Sequence, residues 1–214
     1  MADPYARITF TDSVCRTQSH YGTRAQNAVR EQGAQHPARL GAREAQFIAG
    51  RDSFYIATVS ETGWPYVQHR GGPPGFVRVL DANILAYADF RGNLQYVSAG
   101  NLAHDDRVAL IMVDYTRRQR LKILGHARYV DIAQADASLA ERLQLGAYAA
   151  EIERAVLIDV AAFEWNCPRH ITPRHTEADL KNRTAELEAR IAELERQLAD
   201  RSASNPDPST RRPA

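Results

Sequence analysis

Alternation of apolar and polar side chains dominates the middle of this chain. Ser53–Ser60, Trp64–Arg70, Phe76–Leu80, Ile84–Ala88, Arg107–Asp114, Arg120–Asp131 and Ala155–Trp165 read as strands, rich in β-branched and aromatic residues. Glu61-Thr62-Gly63 has hairpin length between the first two, and Asp81-Ala82-Asn83 joins the next pair with residues that tolerate unusual backbone angles. Tyr115 to Gln119 is a further polar turn. Helical spacing predicts Gly41–Arg51, with Ala45, Phe47, Ile48 and the stem of Arg51 inward, and Asn93–His104 through Leu94, Val97 and Leu102. Another helical stretch, Ala135–Arg154, is interrupted near Gly146. Six or so strands, mostly joined by short turns, predict a mainly β (α+β) fold, a closed antiparallel barrel with helices outside it. A doubly wound parallel sheet would need a helix after nearly every strand.

Both ends differ from this centre. Residues 1–40 are rich in Gln, Arg, Gly and Ala and are expected to be a mobile or partner-dependent arm, with helix around Ser19–Glu31. The barrel domain is placed at residues 41–175. At residues 176–201 the pattern becomes that of a long helix, opened by Thr176 and Asp179 as an N-terminal cap. Leu180, Leu187 and Leu194 recur every seven residues, with Thr184, Ile191 and Leu198 in the complementary heptad position. Glu177–Lys181, Asp179–Arg183 and Glu186–Arg190 have i,i+4 spacing with the acid first. Two arrangements satisfy this pattern, a coiled-coil seam or one amphipathic helix lying on the barrel. Residues 202–214, with three prolines and no large apolar side chain, are expected to be disordered.

Composition narrows the partners. The 214 residues are 44% hydrophobic and 25% charged with a net charge of +1, so neither nucleic acid nor a membrane surface is an expected partner. Cys15 and Cys167 stand alone, outside any CxxC spacing, which suggests neither disulfide nor zinc; a buried structural thiol is favoured for Cys167. No signal-peptide plan and no apolar run of about 18 residues is present, and a cytoplasmic location is expected.

The candidate chemistry lies at two strand ends. Trp64-Pro65-Tyr66-Val67-Gln68-His69-Arg70-Gly71-Gly72-Pro73-Pro74-Gly75-Phe76 and Asp89-Phe90-Arg91-Gly92-Asn93-Leu94-Gln95-Tyr96 each carry Arg and amide side chains into a Gly-containing turn. A phosphorylated flavin needs cationic and backbone donors at one end and amides with aromatic edges at the other. Arg70, Arg78 and Arg91 could serve the phosphate, helped by the Gly92-Asn93 peptide at a helix start. Gln68 and Gln95 could bond the ribityl chain or ring edge, and Tyr87 and Tyr96 could cover apolar parts. His69 could donate to flavin or substrate as a neutral ring, or be a hydrogen-bonded barrel residue. No Ser-His-Asp or paired-carboxylate arrangement favours hydrolysis.

The motifs Asp52 to Ser60, Gly63 to Gly72, Ala88 to Asn93 and Leu121 to Ala127 together resemble the pyridoxamine 5′-phosphate oxidase-like split-barrel flavoproteins, over roughly Gly41 to Arg174. The resemblance implies a six-stranded split barrel, a homodimer and FMN bound in clefts at the subunit interface. It implies that Gln68 to Gly71, with His69 and Arg70 between them, line the flavin ring and begin the phosphate site. It also implies that the backbone of Tyr87 and Ala88 meets the ring. Arg91, Gly92 and Asn93 fall where the family has a Ser-Arg-Lys-like phosphate turn, and Gly92-Asn93 stands where a further cation would be. Lys122 and Leu124 resemble the position from which the partner subunit reaches the cofactor. In related barrels the segment Phe163 to Arg174 crosses towards the partner's flavin, which makes Trp165, Asn166, Arg169 and His170 candidates; the alternative is a tied-down loop in which Trp165 packs. The basic pocket for a pyridoxamine phosphate substrate is absent, so vitamin B6 oxidation is not inherited with the fold. The expectation is an FMN-dependent oxidoreductase, with the same cleft binding a deazaflavin (F420) or heme, or a non-catalytic flavin-binding module, as alternatives.

Overall fold

The computed structural model describes residues 2–34, 36–146 and 148–204, of which 202–204 are described for backbone alone. The chain divides into two compact units: residues up to Asp114 with Arg118–Ile171, and Tyr115–Arg117 with the residues from Thr172 onward.

The first unit is an antiparallel split barrel with flanking helices. Its strands are β1 Ser53–Val59, β2 Pro65–Gly71, β3 Val77–Asp81, β4 Ile84–Phe90, β5 Arg107–Asp114, β6 Gln119–Asp131 and β7 Ile152–Trp165. They form one sheet in the order β2-β1-β5-β6-β7-β4-β3, with every neighbouring pair antiparallel. The structure thus has seven strands where six were expected. The expected closure is also corrected, because β2 and β3 are not paired and remain the two edges of the ladder.

One face of each strand except β2 builds the core. Phe54 and Ile56 of β1, Val77 of β3, Leu85 and Tyr87 of β4, Leu110 and Met112 of β5, Leu121 and Ile123 of β6, and Val156 and Ile158 of β7 are buried together. Phe54 stacks on Phe76 at 5.7 Å and meets the edge of Tyr87 at 5.1 Å. Side chains of this size contribute about 1.5–3 kcal/mol each on burial. A second cluster, with Ala86, Ala88, Ala155, Leu157 and Leu143, covers the other face of β4 and β7. Strand β6 approaches β7 so closely at Gly125 that a Cβ there would lie 2.5 Å from the Asp159 carbonyl oxygen, and the register shifts between Leu124 and Gly125.

Helices decorate this barrel. Phe47 and Ile48 of α4, Ala42–Ala49, enter the core as their spacing predicts. The N-terminal segment is helical: α1 Pro4–Thr9, α2 Asp12–His20, α3 Arg24–Ala28 and a 3-10 turn Val29–Glu31. The continuous helix expected over Ser19–Glu31 is broken at Gly22, whose φ of +70° is left-handed. Ala2 and Ala6 are buried, and Arg30 bonds both Asp3 and Glu164 of β7, so the expected arm is anchored to the barrel. Helix α5 occupies only Val97–His104, because Leu94 and Tyr96 have φ of +61° and +52° and cannot continue a right-handed helix. Of the long helical stretch expected before β7, only α6, Ala137–Leu143, is helix among the described residues; Ile152 to Arg154 already belong to β7.

The second unit is dominated by α7, Glu177–Ser204. Its start is a reciprocal cap: Asp179 N–H donates to Thr176 Oγ1 at 3.1 Å and Thr176 N–H donates to Asp179 Oδ2 at 3.0 Å. Of the three expected i,i+4 pairs, Lys181–Glu177 forms, at 2.6 Å. The tail expected to be disordered is helical at 202–204 and otherwise lies outside the described residues.

Candidate functional site

Strand alternation places the site. Phe54, Ile56 and Thr58 of β1 point inward and stand opposite Arg70, Gln68 and Tyr66 of β2. Tyr66, Gln68 and Arg70 therefore share one face of the edge strand, and they line a cavity of about 220 Å³. Its other walls are Asp89 and Phe90 from the end of β4, Gly92 to Tyr96 from the following loop, Val97 to Ala99 from the first turn of α5, Tyr129 of β6, and Glu153 and Arg154 of β7.

The centre of this cleft is an ion cluster. Asp89 is 2% exposed and lies across the sheet from Arg154. Arg154 Nη2 donates to Asp89 Oδ2 at 2.7 Å, and Arg70 Nη1 sits 2.8 Å from Asp89 Oδ1. That second contact is ionic but poorly angled, which leaves Asp89 Oδ1 and, more tellingly, the buried Arg70 Nε without a hydrogen-bond partner. The Arg154 guanidinium also lies over the rings of Tyr96 and Tyr129, at 4.9 and 4.8 Å. Burial, with Asp89 adding to it, pushes the Tyr129 hydroxyl pKa up, so Tyr129 keeps its proton at neutral pH. Arg91, at the rim, pairs with Glu151 at 3.0 Å, both side chains being more than half exposed.

The first turn of α5 adds backbone donors. Its N-cap, Tyr96, is left-handed and makes no side-chain cap, and the residues of this uncapped first turn, Val97 to Ala99, line the cleft. The helix is held in place by Asn101, whose buried Nδ2 donates to Thr58 Oγ1 at 2.9 Å.

Of the residues expected at a cofactor site, Gln68, Arg70, Gly92, Asn93 and Gln95 line this one cleft, with Arg91 at its edge. The others lie elsewhere. Gly71 ends β2, and His69 points to the opposite face, where its ring meets Tyr55 at 5.4 Å. Tyr87 and Ala88 are buried, Tyr87 against Phe54. Arg78 donates to the Arg142 carbonyl at 3.0 Å. Lys122 pairs with Glu164 at 2.8 Å and lies over the Tyr5 ring, while Leu124 stands two residues further along β6. Trp165 packs edge-on against Phe47, and its Nε1 donates to Glu44 Oε1 at 2.7 Å. Arg169 and His170 are exposed beyond β7, and so is Cys167, which corrects the expected buried thiol: the chain has already left the barrel there.

Sequence reasoning did not assign Asp89, Tyr129, Glu153 or Arg154 to a site. The sequence pattern places Arg154 at a helix end, and only the β4–β7 register, Asp89 opposite Arg154, brings the pair together. A buried acid in the apolar run Ala86-Tyr87-Ala88-Asp89-Phe90 is the one local signal that could have found it.

No curated protein matches the chain. Among solved structures, it is similar to HupZ of Group A Streptococcus, at 15% identity over 64% of this chain and 100% of that one, with a TM-score of 0.47. A putative pyridoxamine 5′-phosphate oxidase of Lactobacillus delbrueckii is 20% identical over 59% of this chain and 94% of its own, with a TM-score of 0.45. An FMN-binding protein of Syntrophomonas wolfei is 10% identical over 71% and 95%, with a TM-score of 0.43. None of the described helices is long and apolar enough to cross a membrane. The family described as pyridoxamine 5′-phosphate oxidase matches residues 40–167, which hold all seven strands and every wall of the cleft. The chain belongs to the pyridoxamine 5′-phosphate oxidase family.

Proposed function

We propose that the cleft is one half of an FMN site, completed by a second copy of the chain in a homodimer, and that the protein is a flavin-dependent oxidoreductase. The observation that carries this reading is the buried Arg70 Nε, a charged donor on a residue of the cleft wall, with no acceptor among the described residues. Buried polar groups are nearly always paired, so an orphaned guanidinium donor in a cavity calls for an anionic or acceptor-rich guest. The uncapped first turn of α5 adds a second set of donors suited to a phosphate. Gln68, Asn93 and Gln95 supply amides, and Tyr66, Tyr96 and Tyr129 supply ring faces and hydroxyls, which suits a ribityl chain and an isoalloxazine edge.

Charge balance qualifies how a dianion would be held. Arg70 and Arg154 share Asp89 in a buried cluster, whereas Arg91 and Glu151 form an exposed, solvent-screened pair. Arg91 can therefore leave Glu151 for a phosphate at small cost, in place of the further cation missing at Gly92-Asn93. The dimer is supported by size and surface. Drug-sized ligands occupy about 300–1,000 Å³, more than the 220 Å³ that this cleft offers. On the opposite face of β1 and β2, Tyr55 and Val67, 44% and 61% exposed, leave a further apolar area uncovered.

When bound, FMN would supply hydride or electron transfer; the chain would supply position and electrostatics. Arg70 and Arg91 would hold the anionic end, and the protonated Tyr129 would remain available as a donor. The test is the absorption and mass spectrum of whatever small molecule the purified protein releases on denaturation, followed by FMN titration. Arg70→Lys keeps the positive charge for Asp89 and deletes the Nε donor, and it should weaken FMN binding by about 1.5–3 kcal/mol. An unchanged titration would remove Arg70 from the site, and no flavin binding at all would remove FMN. Bleaching by NADH or NADPH and reoxidation in air would separate an enzyme from a binding module.

A further inference from the structure

Helix α7 carries five large apolar residues and covers none of them. Leu180, Leu187, Ile191, Leu194 and Leu198 are 53%, 56%, 56%, 41% and 63% exposed. They are not scattered: Leu180, Leu187 and Leu194 occupy heptad position d, and Thr184, Ile191 and Leu198 occupy position a. β-branched residues at two of the three a positions with Leu at every d position are the packing choice of a parallel two-stranded coiled coil.

The charges flanking this seam identify its occupant. Arg183 and Arg190 are at position g, and Glu188 and Glu195 are at position e. In a parallel pair in register, each g residue faces the e residue of the following heptad on the other helix. Arg183 then meets Glu188 of the second copy, and Arg190 meets its Glu195, so that two-fold symmetry makes four attractive contacts. An antiparallel pair would instead set g against g and e against e, Arg beside Arg and Glu beside Glu. These four side chains make no ion pair among the described residues, whereas Lys181 pairs with Glu177 at the start of the helix and Arg196 with Glu193 on the outer surface. We infer that α7 docks on the α7 of a second copy of this chain as a parallel, in-register coiled coil. A helix of this length with an unburied seam gains its stability from such pairing rather than from propensity. This inference does not rest on the cofactor reading.

Disulfide trapping in the full-length chain tests it. In a Cys15→Ser, Cys167→Ser background, Leu180→Cys and Leu194→Cys are introduced singly, near opposite ends of the seam. Parallel register predicts that each variant cross-links to its own copy under mild oxidation. An antiparallel pair would cross-link neither with itself, and a helix resting on its own barrel would cross-link neither; both results overturn the proposal. The charge argument is tested on the same chains. Adding Arg183→Glu and Arg190→Glu sets Glu against Glu and should slow cross-linking by about tenfold or more. Mixing with a chain carrying Glu188→Arg and Glu195→Arg should restore it as a mixed dimer. Cross-linking equally fast in the swapped chain alone would show that the flanking charges do not select the partner.

Discussion

Asp89 is a carboxylate with almost no access to water and two guanidinium groups beside it. Its substitution by Asn keeps the shape and removes the charge, which leaves Arg70 and Arg154 facing each other with no anion between them. Breaking a buried ion pair on one side costs about 3–5 kcal/mol, and this variant should lose stability in that range by denaturant titration. The same change makes the cleft one unit more positive, so FMN affinity should rise while stability falls. An Asn variant as stable as the parent would mean that the Asp89 ion pairs do not hold these strands together. The opposed signs separate a residue that tunes an anion site from one that only props up the sheet.

At the scale of elements, the N-terminal helices are held by a small set of charges on the barrel's longest strands. Lys122 of β6 and Glu164 of β7 are cross-strand neighbours, and Arg30 reaches Glu164 at 2.5 Å. Burial works to raise the Glu164 pKa, and hydrogen bonds from Lys122 and Arg30 outweigh it, holding the carboxyl below its ordinary 4.5. A depressed acid pKa contributes stability that is complete above 4.5 and is lost as pH falls through the lower folded value. Amide exchange in α1 to α3, corrected for its intrinsic pH dependence, should therefore accelerate on acidification below that value. Glu164→Gln should show the accelerated exchange already at neutral pH; an unaltered profile would place the anchor elsewhere. The elements themselves were unevenly legible. Strands with one wet face, such as Ser53–Val59, betray themselves by alternation. Ile152-Glu153-Arg154 did not, because it follows an Ala-rich stretch with helical spacing. Leu94 kept the right spacing for a helix while its backbone took the left-handed region, a choice that periodicity cannot register. The site shows the same limit. Gln68 and Arg70 follow from alternation within one strand, whereas Asp89, Tyr129 and Arg154 are assembled by register between strands far apart in sequence.

For the whole molecule, two units imply separable stabilities. The core of the barrel and all walls of the cleft lie in the first unit, and α7 begins only at Glu177. A chain ending at His175 should fold with the same flavin stoichiometry, measured by absorbance against protein concentration; loss of flavin would make the helix part of the site. Within the barrel, Gln68 and Arg70 belong to β2, which pairs only with β1 and forms one border of the sheet. A border strand is the first to fray, and a guest that binds only the unfrayed state holds it shut. Occupancy and local order are then one equilibrium: each encounter with the cleft is also a vote on whether the seam between β1 and β2 stays zipped, and an empty cleft leaves that margin of the sheet free to breathe.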